Sequence, residues 1–141
     1  MEKGIRDAFF EKVGKEPYAR KMGMSLIDVE EGHAIVEMAP QKDNGNLLGM
    51  THGGAIFSLI DEAFEISSNS HGTVAVALNM SITYHQAPNP KSGLRAESNE
   101  IHRTRKTATY DIKVRDGDNA LIASCTALVY RKNSTLPFLE E

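Results

Sequence analysis

The sequence predicts an α+β protein in which an antiparallel β-sheet wraps around one long central helix. Three observations carry this prediction. An apolar stripe at helical spacing occupies the middle of the chain, alternating apolar segments flank it on both sides, and turn-forming residues separate the segments that follow it. At 141 residues the chain is expected to form a single domain over 1–141.

From Lys3 to Lys15, Ile5, Phe9 and Val13 recur every four residues with Ala8 beside them, and charged residues fill the other faces. This predicts an amphipathic helix over about 3–15, closed by Pro17. Met24 to Glu30 alternates, Ala34 to Met38 resumes the pattern, and Glu31-Gly32 joins them as a hairpin turn. Pro40 to Thr51, which holds Asn44, Gly45, Asn46 and Gly49, reads as a loop. Ile56, Leu59, Ile60, Ala63, Phe64 and Ser67 then fall at i, i+3, i+4, i+7, i+8 and i+11, the buried stripe of the central helix. Gly53 and Gly54 open it and Asn69 to Gly72 end it. Four strands are predicted after it: Thr73 to Tyr84, Gly93 to His102, Ala108 to Arg115 and Ala120 to Arg131. Asp116-Gly117-Asp118-Asn119 turns the last hairpin. The first of the four is nearly continuously apolar at its start, as expected where a helix covers one sheet face. Residues from about 132 to 141 read as a loosely held tail.

Composition excludes several function classes. Sixteen Lys plus Arg against nineteen Asp plus Glu leave a net charge of −3, so no basic field is available for nucleic acid. The single Cys125 has no partner for a disulfide, and the five His are scattered without ligand spacing, so neither a metal nor a redox cofactor is expected. No apolar run approaches the ~20 residues of a membrane span, and the charged N-terminus does not read as a signal peptide. A cytoplasmic protein is expected.

The chemistry concentrates between Asn46 and Asp61. Gly53 and Gly54 leave backbone N–H groups bare at the positive end of the helix, a candidate oxyanion hole. Asp61 interrupts the apolar stripe, and a buried carboxylate without a partner is costly. Each feature alone has a plainer reading: the glycines a turn, Asp61 an exposed or paired acid, His52 and Asn46 loop residues, and Ser67 to Ser70 helix-end caps. Gly53 and Asp61 are eight residues apart, ~12 Å along one helix. An oxyanion donor and an attacking group must both lie ~3 Å from the reacting centre. If both act on one carbonyl, they come from two copies of the helix, which predicts a symmetric dimer with sites at its interface.

The run Asn46-x-x-Gly49-x-x-His52-Gly53-Gly54-x6-Asp61, continued by Ala63-Phe64 and Asn69-Ser70, resembles the signature of hotdog-fold acyl-CoA thioesterases of the PaaI-like group from phenylacetic acid degradation. The resemblance runs from about Met24 to Arg131. It implies a homodimer or homotetramer that hydrolyses acyl- or arylacyl-CoA thioesters, with coenzyme A as part of the substrate and no other cofactor. It implies Asp61 as general base or nucleophile, by a water-mediated or an anhydride route, and the Gly53 N–H as the group that polarises the carbonyl. Asn46 is implied to bind that carbonyl or the water, and His52 to hold the loop and helix start. Gly54, Asn69, Phe57, Phe64 and Met50 are candidates for lining the substrate site. Arg103, Arg105 and Lys106, between two predicted strands, are candidates for the coenzyme phosphates, with Lys91 a weaker one.

The chain also departs from the pattern. Glu62 and Glu65 add acids beside Asp61, and a related subgroup uses a helix Glu. Ala77 stands where some relatives carry a strand hydroxyl, with Thr73, Ser81 and Thr83 as the nearest alternatives in sequence. Two other readings remain: an enoyl-CoA hydratase or dehydratase on the same fold, which would use His52, and an acyl-CoA binding module without catalysis.

Overall fold

A computed structural model describes residues 1–141. The elements follow in the order α1 (Lys3–Lys15), α2 (Pro17–Met22), β1 (Met24–Glu30), β2 (His33–Met38), α3 (Gly53–Asn69), β3 (Thr73–Tyr84), β4 (Leu94–Arg103), β5 (Thr107–Asp116) and β6 (Leu121–Thr135). The six strands form one antiparallel sheet in the order β1-β2-β4-β5-β6-β3. This is the α+β arrangement that the apolar periodicities predict.

Alternation decides which way each strand faces. On β2 and β5 every second residue is buried, which turns Ala34, Val36, Met38, Ala108, Tyr110, Ile112 and Val114 toward α3. Leu59, Ile60, Ala63 and Phe64 of α3 answer them, and the Phe64 and Tyr110 rings meet edge to face at 5.5 Å. Two short turns fix the register. Gly32 takes φ +73° between β1 and β2, where a Cβ would lie 2.9 Å from the Glu100 side chain, and its N–H donates to Ser70 Oγ at 2.7 Å. Asp116 Oδ1 accepts the N–H groups of Asp118 and Ala120 to hold the β5–β6 turn.

The structure corrects two expectations. Pro17 closes α1 but also opens α2, as a proline at the first helical position does. The segment after Arg131 is not a loose tail: β6 continues to Thr135, which pairs with Thr73, and Leu136 is buried. Phe138 then packs on Phe9 at 5.2 Å, so α1 has an apolar partner at the C-terminus. The apolar start of β3 is covered by α3 on one face, as its composition predicts, while Val76 and Leu78 stay 38% and 58% exposed. No helix is long and apolar enough to cross a membrane.

Candidate active site

The loop before α3 is folded back on itself by its own polar groups. His52 N–H donates to the Asn44 carbonyl and Asn46 N–H to the Met50 carbonyl, each at 2.6 Å. Asn46 Oδ1 accepts from the N–H groups of Leu48 at 2.9 Å and Met50 at 3.0 Å. Its carbonyl oxygen is therefore spent on the loop, and only its NH₂ remains to reach a substrate. His52 is the N-cap: Nδ1 accepts from the Gly54 N–H at 2.8 Å, which places its ring proton on Nε2. Gly54 thus has its donor occupied. The Gly53 N–H has no acceptor, since the bonds around the cap run from Ala55 and Ile56 to the His52 carbonyl. A bare N–H at a helix N-terminus is what the oxyanion reading of Gly53 requires.

Tyr84, at the end of β3, donates its hydroxyl to the Gly53 carbonyl at 3.0 Å and lays its ring 3.5 Å from where a Gly53 Cβ would stand. No local pattern marks this residue, because the contact joins positions 31 apart through the fold.

Eight residues further along α3, Asp61 opens into a cleft of about 370 Å³. Helix α3 supplies Ser58, Asp61, Glu62, Phe64, Glu65, Ser68 and Asn69; β3 supplies Ala75 and Ala77; the α1–α2 junction supplies Glu16 and Tyr18. Sequence reasoning missed Ser58 and Ala75, and it missed Glu16 and Tyr18, which come from outside α3 and β3. The only local sign of them is the acid and aromatic on either side of Pro17. Ser58 Oγ donates to the Gly54 carbonyl at 2.8 Å, so its one proton is used and Tyr18 donates to it at 2.7 Å. That chain of bonds ties α2 to the first turn of α3. Ala77 lines the cleft, and Thr73, Ser81 and Thr83 do not, so no strand hydroxyl stands in for it.

The cleft is electrostatically one-sided. Asp61 is exposed rather than buried in the apolar stripe, and partial desolvation in the cleft, then the Glu16 charge, raise its carboxyl above the usual range. Burial first, then the charges of Glu16 and Asp61, push Glu65 up to about 7. Glu62 is 4% exposed and is driven strongly upward by burial and by the acids around it. Among these acids Asp61 alone stands at the HGG-x6-Asp position.

The remaining candidates are distributed. Asn69 donates to the Glu65 and Ala75 carbonyls and accepts from the Ala75 N–H, so its amide is committed to holding the end of α3 against β3. Phe64 borders the cleft but is 1% exposed, a core residue first. Phe57 and Met50 are outward-facing and lie outside the Asp61 cleft. Arg105 and Lys106 stand free at the β4–β5 turn, whereas Arg103 is drawn into a cluster with His71 and Glu100. Glu100 also takes His71 Nε2 at 2.8 Å and the Tyr110 hydroxyl at 3.1 Å. A larger depression of about 780 Å³ lies on the outer sheet face, where Arg95 and Glu37, and Lys113 and Asp111, neutralise each other. It presents no unpaired catalytic group.

Comparison with known proteins shows the family and the fold. Residues 48–123 match the model of the Thioesterase superfamily. The chain belongs to that family. It is 44% identical over 112 residues to a putative esterase of Archaeoglobus fulgidus, covering 79% of this chain and 73% of that one. It is 30% identical to the acyl-coenzyme A thioesterase PaaI of Escherichia coli over 118 residues, 84% of each chain. The solved structure of the E. coli PaaI protein superposes with a TM-score of 0.87 at 27% identity, covering 92% of this chain and 94% of that one. A Streptococcus mutans structure bound to acetyl CoA superposes with a TM-score of 0.76 at 27% identity, over 80% of this chain and 91% of that one. The chain is a PaaI-like thioester hydrolase with the hotdog fold.

Proposed function

We propose that two copies of this chain hydrolyse acyl-CoA or arylacyl-CoA thioesters, with Asp61 of one copy and the Gly53 N–H of the other acting on the same carbonyl. The observation that carries this reading is the unbroken α3 between Gly53 and Asp61, which holds them ~12 Å apart. A bare donor and a cleft carboxylate that far apart cannot meet on one carbonyl within a single chain. The open edge of β3 supplies the means of association, since Ala75 and Ala77 of that strand line the Asp61 cleft.

In this reading Asp61 attacks the carbonyl carbon directly, or takes a proton from water as the water attacks. The Gly53 N–H receives the developing oxyanion. The Asn46 NH₂ reaches the carbonyl or the water, and His52 and Tyr84 fix the helix start. Arg105 and Lys106 contact the coenzyme phosphates, with Arg103 contributing less because His71 and Glu100 hold it. The PaaI relative motivates phenylacetyl-CoA-like substrates, and the acetyl-CoA-bound neighbour motivates a coenzyme A thioester in general.

Thiol release from phenylacetyl-, hydroxyphenylacetyl-, benzoyl- and fatty acyl-CoA tests the proposal, with wild type beside Asp61→Asn and Glu65→Gln. Turnover by wild type that collapses in Asp61→Asn supports it. Collapse in Glu65→Gln alone assigns the acid to Glu65, and ligand binding without turnover in wild type indicates a binding module.

A further inference from the structure

The carboxylates of Glu16, Asp61, Glu62 and Glu65 share one cleft, and none has an ion-pair partner. No Lys, Arg or His lines that cleft. The two lysines that precede Glu16 are turned elsewhere: Lys15 Nζ pairs with Glu11 at 2.8 Å, and Lys12 Nζ lies 5.9 Å from the centre of the Phe138 ring. Glu62 is 4% exposed, and its Oε1 is buried with no hydrogen-bond donor. A charged carboxylate in that position is strongly unfavourable unless a proton or a cation lies against it.

The geometry specifies the size of that positive group. One carboxylate oxygen from each of Glu16, Glu62 and Glu65 lies within 4.8 Å of the other two. Hard divalent cations hold carboxylate oxygens at ~2.0–2.6 Å, so ligands on opposite sides of one ion stand roughly 4–5 Å apart. Glu62 and Glu65 are three residues apart on α3 and project from the same face. Glu16 comes from the bend between α1 and α2, where it ends α1. No sequence motif announces the group because its members come from elements far apart in the chain, and all are carboxylates rather than His or Cys.

We propose that Glu16, Glu62 and Glu65 bind a hard divalent cation of the calcium or magnesium class. The ion clamps the α1–α2 junction onto α3 and neutralises the wall next to Asp61. Substrates that carry phosphates then approach a cleft with less negative charge.

The test uses the full chain in its native assembly, stripped with chelator and titrated with Mn²⁺ followed by its spin resonance, and with Ca²⁺ and Mg²⁺ followed by calorimetry and thermal melting. The expected result is one saturable site per chain and a melting temperature raised by Ca²⁺ or Mg²⁺. Glu62→Gln and Glu16→Gln each weaken binding at least tenfold, while Asp61→Asn retains it. In chelator, Glu62→Gln is expected to melt close to wild type, because the buried Glu62 carboxyl is protonated without a cation and the amide is likewise neutral, so loss of binding is not mistaken for loss of fold. Two results overturn the proposal. One is equal Mn²⁺ binding by wild type and Glu62→Gln. The other is no saturable binding of any of the three ions at millimolar concentration, with stability governed by pH alone, which indicates a proton shared between Glu16 and Glu62.

Discussion

The two edges of the sheet are finished in opposite ways. At β1 the edge is seven residues long and is flanked by α1 and α2. Arg6 donates to the Val29 carbonyl, pairs with Asp28 at 2.7 Å and lies over the Phe10 ring at 5.2 Å. At β3 the edge is twelve residues long, its outer side has no strand partner, and Val76 and Leu78 face outward. A blunted edge resists pairing, whereas a long apolar one invites it. The comparison teaches that the side with the unpaired edge, which the proposed dimer would use, is also the side that holds the Asp61 cleft.

Substitutions separate the roles of these regions, and the largest effect belongs to the cleft. Asp61→Asn is expected to lower kcat by roughly 10²- to 10⁴-fold. Sedimentation should show its association unchanged. Gly53→Pro removes the bare N–H at a helix position that accepts proline, next to a His52 already at ψ 135°. It is expected to lower kcat by about 10²- to 10³-fold, with the helical circular dichroism intact.

Leu78→Lys places a charge on the β3 edge. Dimer dissociation measured by dilution should strengthen by more than about tenfold, and activity should fall in proportion to the dimer lost. Arg6→Ala at the opposite edge is expected to cost about 1 kcal/mol of stability and to leave association and kcat alone. Arg6 holds the Asp28 carboxyl below its ordinary value. The stabilisation from this pair is therefore complete above the ordinary carboxylate pKa and is lost as pH falls through the lowered one. Melting curves of wild type and Arg6→Ala should converge in acid.

Much of this fold is legible in the sequence because its signals are local. The stripe from Ile56 to Ser67 and the alternation in β2 and β5 each report burial within one element. The turns at Gly32 and Asp116 lie where their residue types demand them. What the sequence hides depends on contacts between elements. The apolar run of β3 does not reveal which edge of the strand lacks a neighbour, and the continuation of β6 past Arg131 shows only in its pairing with Thr73. Glu16 and Tyr18 enter the cleft only because α2 follows Pro17 and swings back onto α3. The HGG-x6-Asp spacing marks Gly53 and Asp61 directly, but the unpaired Oε1 of Glu62 emerges only from packing.

The most direct test of the composite site mixes two inactive proteins. Asp61→Asn and Gly53→Pro chains are unfolded together, refolded and assayed beside each parent. Random pairing makes about half of the dimers mixed, and each mixed dimer holds one intact site of its two, so roughly a quarter of wild-type activity should return. Activity no greater than the sum of the two parents, with mixed dimers shown to be present, would contradict a site built from both copies.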